Sequence, residues 1–389
     1  MKERGFTMKC PENIDFKKML KGEYEAAFMP ADLSPLSPVP DFGYNILNRK
    51  GLLYSPAADE FFLESGGKKP VWPGNKPFAV CLTHDVDAVS CYSVRQSLRS
   101  VRNCFFSGAP YSRSFASAVR KLAGVNCFTP RARGKDPFHS FEKWLEIENR
   151  FSARSTFFFW PGMGAVNKKH KTDCLYDLND GIYFESEKRS VAEVIREIGR
   201  RGWEIGLHPS WYSYDAADSM KKQKESLEKI TGGEIVSVRQ HYLHYDIRVT
   251  PRVHADAGLK YDSSLGFNNN VGFRFGTSYP WKLYDLEKNG ELPVLEVPLI
   301  IQDGALLSRN KGLALDIENA FDYIVMIAER VIRTGGVLTL LWHPHYIAEP
   351  GWAGLYEKAL EYLDGRSAYF ASVREIGEWW TRHNSDVRV

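Results

Sequence analysis

Four short, largely apolar runs constrain the fold of this 389-residue chain, because each is followed closely by residues capable of acid–base or metal chemistry. The runs cover residues 78–82, 203–207, 235–238 and 337–342, and the residues that follow them are Asp85 and Asp87, His208, Arg239 and His241, and His343 and His345. Helical patterns separate the runs along the chain. Nearly continuous apolar strands that alternate with helices are typical of a parallel sheet covered by helices.

A barrel is the architecture that best brings such strand ends together. A (β/α) barrel gathers the carboxyl ends of all its parallel strands on one face, where active sites are built. An open doubly wound sheet brings polar residues together only where its strand order reverses. Since the chain shows about seven strand–helix units, we predict an α/β fold, specifically an irregular (β/α) barrel.

The barrel is predicted to occupy residues 76–389, after an N-terminal extension over residues 1–75. The extension has little periodicity, contains proline-rich clusters and reaches a Gly-Gly pair at 66–67. Such a segment lacks the pattern of an independent core, so we expect it to pack on the barrel.

A basic helical insertion over residues 90–135 is predicted to interrupt the barrel after its first strand. No Asp or Glu occurs from 90 to 134, whereas Arg95, Arg99 and Arg102 recur there at helical spacing. The insertion is either a solvated helical hairpin or a surface for an anionic partner. In the second case it would bind a lipid-diphosphate-linked precursor or make peripheral contact with an anionic membrane face.

The composition excludes several classes of protein. The formal net charge is 51 − 48 = +3, which is too small to indicate a nucleic-acid-binding protein. The N-terminus has no apolar signal core, no run is long enough to span a membrane, and the six cysteines lack CxxC spacing. A reduced, cytoplasmic protein is the simplest interpretation.

The paired carboxylates Asp85 and Asp87 can face one site, because residues two apart in a strand point to the same side. One can hold a metal while the other acts as a base, although an aspartate pair can also cap a helix or form a turn. A barrel mouth with carboxylates, imidazoles and an arginine is suited to metal-assisted hydrolysis. Neither a G-x-S-x-G stretch nor a phosphate-binding G-x-x-x-x-G-K-[ST] loop occurs in the chain.

Four segments together resemble the motifs of polysaccharide deacetylases, the chitooligosaccharide-deacetylase-like group known as carbohydrate esterase family four. They are 83–87 (THDVD), 206–210 (GLHPS), 239–242 (RQHY) and 341–343 (LWH), in the order of that family's motifs. The amino-acid sequences of these motifs are most similar to those of an uncharacterised bacterial branch of the family that is found with surface-polysaccharide biosynthesis. The resemblance covers roughly residues 76–380. It implies a distorted seven-stranded (β/α) barrel, a divalent metal, commonly zinc, and removal of N-acetyl groups from amino sugars in a surface polysaccharide or its precursor.

The resemblance also implies catalytic roles. Asp85 would be the general base, and Arg239 would hold it ionised. His343 would be the general acid, and Asp262 would orient it. Tyr242 would help to bind the oxyanion, largely through its backbone N–H.

The metal site departs from the family pattern at one position. Asp87 and His208 match metal ligands of the family, but Tyr212 stands where a second histidine is usual. Two protein ligands alone make a weak zinc site, so a third is required. We expect His241, which follows a strand end, to be that ligand. The remaining candidates are His345, His84 and Tyr212 itself.

Two other functions are compatible with the sequence. Without a third ligand, the chain would be a catalytically degraded homologue that binds sugar and hydrolyses nothing. Alternatively, Asp85-Val86-Asp87 would be the D-x-D pair of a nucleotide-sugar glycosyltransferase, which leaves His208 and His343 without roles.

Overall fold

The structure, a computed structural model, describes residues 14–28, 45–91, 136–384, 386 and 387. The predicted basic insertion, with Arg95, Arg99 and Arg102, therefore lies almost wholly outside the described residues. Its helices and its contacts with anionic partners stay predictions.

Strands and helices alternate along most of the described chain. The strands are β1 (Ala79–Val86), β2 (Thr156–Phe159), β3 (Gly181–Phe184), β4 (Glu187–Ser190), β5 (Glu204–Leu207), β6 (Ser237–Val238), β7 (Tyr261–Asp262), β8 (Trp281–Asp285), β9 (Gly290–Glu296), β10 (Ile301–Gln302), β11 (Val337–Leu341) and β12 (Tyr369–Ala371). The α-helices are α1 (Phe16–Leu20), α2 (Glu23–Phe28), α3 (Ile46–Arg49), α4 (Ala57–Glu64), α5 (Phe141–Arg150), α6 (Val191–Arg200), α7 (Ala217–Thr231), α8 (Thr250–Asp256), α9 (Asp303–Leu307), α10 (Ile317–Thr334), α11 (Trp352–Gly365) and α12 (Val373–His383). Short 3₁₀ turns follow β5, β6 and β11 at Trp211–Ser213, His241–Leu243 and Pro344–Ala348.

The main sheet is parallel apart from one edge. Its strand order is β10-β11-β1-β2-β5-β6-β7-β9-β8, and the pairing of β8 with β9 is antiparallel. The strand β12 pairs with the first half of β1, and β2 pairs with its second half. Every residue of β1 and β11 is buried, as expected for strands that are covered on both faces.

The two ends of this strand order are joined by one continuous segment. The strand β9 pairs with β7 near one end and β10 pairs with β11 at the other, yet only residues 297–300 separate β9 from β10. A flat sheet would place these two strands about 34 Å apart, whereas the steps from Glu296 to Ile301 span at most about 18 Å. The sheet therefore curves into a nearly closed barrel. Pro298, which has no N–H to give to a ladder, lies at the bend.

The fold prediction is thus confirmed. Because β9 and β10 are parts of one bent segment, the ring has seven strand positions, with β8 and β12 as additions. The carboxyl ends of the parallel strands lie at one end of the barrel. The polar residues that follow the apolar runs in the sequence therefore lie at that end.

Helix boundaries follow from local sequence. A capping box of Ser190 and Glu193 starts α6, whose apolar side is buried. Two flanking residues cap the helix α10. Asp316 precedes its first turn, and its side chain accepts from the Asn319 N–H. Gly335 follows its last turn, where a φ of 79° favours glycine. Among the described helices, none combines the length and apolar composition needed to cross a bilayer.

The described part of the N-terminal segment packs against residues 245–294. Phe16, Met19 and Leu47 share an apolar cluster with Tyr245 and Phe275. The Arg274 guanidinium pairs with the Glu25 carboxylate at 2.5 Å. The division into an N-terminal extension and a barrel at residue 75 stays a prediction.

Candidate active site

A cavity of about 110 Å³ opens at the carboxyl ends of the strands. Five of the predicted site residues line it, namely Asp85, Asp87, His208, Tyr242 and His343. Two more, Arg239 and His241, lie against this set through ion-pair contacts with Asp85 and Asp87. The structure therefore brings together the predicted site residues from β1, β5, β6 and β11.

Three potential metal-ligand atoms converge beside the cavity. The Asp87 carboxylate Oδ1 lies 3.2 Å from His208 Nε2 and 3.6 Å from His241 Nε2. The ligand atoms of these three residues all lie within 4.8 Å of one another, and no other such group of His, Cys, Asp or Glu occurs in the described ranges. A carboxylate and two imidazoles are a donor set that binds divalent zinc and related ions.

The second nitrogen of each imidazole is held by an acceptor. His208 Nδ1 lies 2.6 Å from the Arg239 carbonyl oxygen, and His241 Nδ1 lies 3.3 Å from the Asp173 carboxylate. Since neither a carbonyl nor a carboxylate can donate, both Nδ1 atoms carry the proton. Nε2 of each ring therefore faces Asp87 and is the nitrogen left to bind a metal, which is the arrangement that a metal ligand needs.

The electrostatics of Asp87 favour its ionised form. Burial by itself would raise the pKa of Asp87, but the hydrogen bond from His208 and the nearby His241 and His343 outweigh burial. The pKa of this carboxyl is therefore held well below its usual range. An ionised carboxylate is the form that binds a cation.

The other candidates for the third ligand make contacts of a different kind. Both ring nitrogens of His84 face acceptors, the Trp342 carbonyl at 2.6 Å and the Glu148 carboxylate at 2.7 Å. The Tyr212 ring lies beneath Lys168, whose Nζ is 4.4 Å from its centroid. The His345 ring packs on Tyr346, with centroids 4.3 Å apart. Neither His84 nor His345 belongs to the converging group of described residues.

The predicted base Asp85 is buried against a fixed arginine. Arg239 is fully buried, and its Nη2 donates to the hydroxyls of Thr83 and Ser263 at 3.2 and 2.8 Å. Its Nη1 lies 3.5 Å from Asp85 Oδ1. The guanidinium is thus held beside the Asp85 carboxylate inside the protein.

The histidine predicted to be the general acid is held by Asp303. The Asp303 carboxylate accepts from the backbone N–H of His343 at 2.7 Å and faces the ring Nδ1 at 2.8 Å. Burial would lower the pKa of His343, but Asp303, followed by Asp87 and Asp85, outweighs burial and raises it to about 10. The ring Nε2 points toward the site, 3.7 Å from Asp87 Oδ2.

The prediction that Asp262 orients His343 is therefore wrong. Asp262 faces His254 Nδ1 at 2.9 Å and accepts from the Ser264 hydroxyl at 2.5 Å. It lies on β7, whereas Asp303 directly follows β10, the neighbour of β11 in the sheet. The signal for Asp303 was present in the sequence, since it too follows an apolar run at a strand end.

The turn at Tyr242 has an unusual backbone. Tyr242 and the next residue, Leu243, have φ angles of 57° and 49°, in the left-handed region that non-glycine residues rarely adopt. Each costs about 1–2 kcal/mol relative to the right-handed form. The Asn268 side-chain amide donates to the Tyr242 carbonyl at 2.7 Å and helps to hold the turn. Such strain is commonly found at functional sites.

Asp173 is a functional candidate that the sequence did not reveal. It is fully buried and accepts from the Ser210 hydroxyl at 2.5 Å and the Trp211 N–H at 2.8 Å, besides facing His241. Burial would raise its pKa, but the contacts with His241, Ser210 and Trp211 lower it. Asp173 lies in the loop after β2, where no pattern marks it.

Removing the Asp173 carboxylate is expected to weaken metal binding. An Asp173→Asn variant should bind Zn²⁺ about 10- to 100-fold less tightly, because His241 loses the acceptor that fixes its tautomer. Competition with a chelating dye measures the affinity. The matched control is Asp59→Asn, since Asp59 is an equally buried acceptor for Thr277 and Ser278 that touches no histidine. Equal zinc affinities in the wild type and Asp173→Asn would contradict the prediction.

Comparison with known proteins identifies the fold. No protein-family model and no curated protein matches the chain. A candidate polysaccharide deacetylase from Mycobacterium smegmatis is 21% identical, with 83% of this chain and 96% of that one covered and a TM-score of 0.52. A second candidate polysaccharide deacetylase, from Pseudomonas aeruginosa PAO1, is 17% identical over 81% and 94% of the chains, with a TM-score of 0.51. The PuuE allantoinase is 15% identical over 81% and 94%, with a TM-score of 0.50.

These likenesses show a shared fold. The resemblance to polysaccharide deacetylases drawn from the motifs is confirmed at that level, and the surface-polysaccharide branch stays a prediction. A fold carries many chemistries, so the reaction must be argued from the site residues.

Proposed function

We propose that the protein is a metal-dependent hydrolase that removes an N-acetyl or related acyl group from an amino sugar. The observation that carries this proposal is the convergence of Asp87, His208 and His241 beside an Asp85–Arg239 pair and a His343–Asp303 pair. Metal ligands, a base and an acid around one cavity are the parts that hydrolysis of an amide requires.

The donor set fits a divalent cation, and zinc is the ion that we propose. Two imidazole Nε2 atoms and an ionised carboxylate converge on one point, so a cation there would balance the charge of Asp87. When bound, such an ion supplies a Lewis acid that polarises the acyl carbonyl and acidifies a water molecule. Asp87, His208 and His241 would hold it, which leaves positions for water and substrate.

The remaining residues would move protons. Asp85 lines the cavity and would accept a proton from the attacking water, while Arg239 would hold the carboxylate in place. His343 would protonate the departing amine through Nε2, since Asp303 occupies Nδ1. The Tyr242 turn would contribute to binding the developing oxyanion, and its fixed backbone means that little reorganisation is needed.

The test combines metal analysis with an assay for acyl release. The purified protein should contain near-stoichiometric zinc or another divalent metal, and should release acetate from N-acetylated amino sugars. A His208→Ala variant should lose both the metal and turnover, because it removes one of three ligands. Elemental mass spectrometry and an acetate assay give the two readouts.

The outcomes separate the proposal from its alternatives. Absence of metal after dialysis against zinc, with sugar binding retained, would favour the degraded sugar-binding homologue. Saturable binding of a nucleotide diphosphate that depends on Asp85 and Asp87 would favour the glycosyltransferase. In either case the hydrolase proposal would be abandoned.

A second candidate reaction is hydrolysis of a small amide. The likeness of fold to an allantoinase and the modest cavity, about 110 Å³, favour it. The same metal ligands, base and acid would serve this reaction. Turnover of allantoin without acetate release from any N-acetylated sugar would establish it in place of the deacetylase.

A further inference from the structure

We propose that the substrate carries an anionic group close to the acylated nitrogen, and that Lys311 binds it. This inference rests on the proposed function, because it describes the molecule that enters the same cavity. The anion is a carboxylate or a phosphate on the sugar, and both offer oxygen acceptors to a lysine ammonium group.

Lys311 belongs to the wall of the cavity. It lines the same space as Asp85, His208 and His343, together with the polar side chains of Asn268, Gln302 and Ser308. Its Nζ lies 5.0 Å from the centroid of the Tyr242 ring. The exposed ammonium group is thus held over an aromatic ring at the cavity.

The turn that carries Lys311 is fastened to the active site. The two residues after Lys311 are hydrogen-bonded back to α9 and to the residue that follows it. The Gly312 N–H donates to the Ser308 carbonyl at 3.0 Å, and the Leu313 N–H donates to the Ala305 carbonyl at 2.7 Å. A Cβ at Gly312 would lie only 2.4 Å from that same Ala305 oxygen, so the close approach requires glycine. The helix α9 begins with Asp303, so the segment that holds His343 also fixes the position of Lys311.

The charges of the cavity show what Lys311 can bind. Each of the two carboxylates has nearer nitrogen neighbours, Asp85 in Arg239 at 3.5 Å and Asp87 in His208 at 3.2 Å. A lysine in the lining of a cavity that also holds a divalent cation repels that cation unless an anion is placed near both. A substrate with its own negative charge provides that anion and gains affinity from Lys311. A neutral sugar leaves the ammonium group without a counter-charge in the cavity.

The experiment measures discrimination between neutral and charged probes. Binding of N-acetylglucosamine, N-acetylglucosamine 1-phosphate and N-acetylglucosaminuronic acid is compared by calorimetry, in an Asp85→Asn background that prevents turnover. We expect at least one anionic probe to bind about 10- to 100-fold more tightly than the neutral sugar. Lys311→Gln should remove that preference, so that the anionic probes bind no more tightly than the neutral sugar. The better of the two anionic probes identifies the group as phosphate or carboxylate.

Arg309→Gln is the matched control. Arg309 has the same charge, is exposed, and lies on the same turn but outside the cavity lining. Its replacement should keep the preference for the anionic probes. Equal loss of the preference in both variants would show a general effect of positive charge and overturn the assignment to Lys311. Equal affinity for all three probes in the protein that keeps both Lys311 and Arg309 would overturn it as well.

Failure of this inference is distinguishable from failure of the proposed function. If acetate is released equally fast from neutral and anionic sugars with or without Lys311, hydrolysis stands and the anion site is overturned. If the wild type releases no acyl group but binds anionic sugars through Lys311, the anion site stands and the hydrolase proposal fails.

Discussion

An Asp85→Asn variant is expected to lose about 10²- to 10⁴-fold in turnover and to keep its metal. Asparagine preserves the shape of the side chain but cannot accept the proton of the attacking water. Asp85 is absent from the group whose ligand atoms converge, so the metal should remain at its wild-type stoichiometry. The buried Arg239 also loses its nearby negative charge, so we expect a lower melting temperature.

The matched variant is Asp87→Asn, two residues along the same strand end. Asp87 lies within 3.7 Å of His208, His241 and His343. Its replacement should therefore remove the metal as well as turnover. Metal content by elemental mass spectrometry and acetate release are measured on both variants, with thermal melting to confirm folding. Loss of metal in Asp85→Asn, or full activity in either variant, would contradict the assignment of base and ligand.

That the two aspartates face one site could be anticipated, because it depends on local geometry. A strand sends residues two apart to the same side, so Asp85 and Asp87 had to share one site once β1 was recognised. His208, Arg239 and His343 each follow a buried parallel strand, and the carboxyl ends of parallel strands meet at one mouth of a barrel. Their place at the mouth could therefore be anticipated too. His241 was expected from its place after β6, and the structure sets its Nε2 3.6 Å from Asp87.

The residues that the sequence did not identify contact the site from distant parts of the chain. Asp173 reaches His241 from a loop more than sixty residues earlier, and nothing near position 173 indicates which strand end it will meet. Which of Asp262 and Asp303 orients His343 depends on which strand lies beside β11. That neighbour is β10, because the bend at Pro298 carries the chain from β7 to the other end of the strand order. Strand order is a tertiary property, and local patterns leave it open.

The choice between the two aspartates leads to the last prediction, in which Asp303→Asn lowers kcat by about 10²-fold or more. Asp303 accepts from the N–H of His343 and faces its Nδ1. An asparagine has one oxygen for these two donors, and its amide can turn an N–H toward Nδ1. The imidazole would then lose the acceptor for its Nδ1 proton and the orientation that directs Nε2 into the site. Metal content should stay unchanged, because Asp303 is outside the converging group of ligands.

Asp262→Asn is the control that makes this result decisive. Both aspartates are fully buried and each faces a histidine Nδ1, at 2.8 Å for Asp303 and 2.9 Å for Asp262. Only Asp303 faces the histidine that lines the cavity, so the Asp262 variant should lose stability in thermal melts but keep most of its kcat. Steady-state kinetics of the folded variants separate the two cases. A larger loss of kcat in Asp262→Asn than in Asp303→Asn would return the orienting role to Asp262, because a carboxylate that only stabilises the fold cannot set the rate of proton transfer at His343.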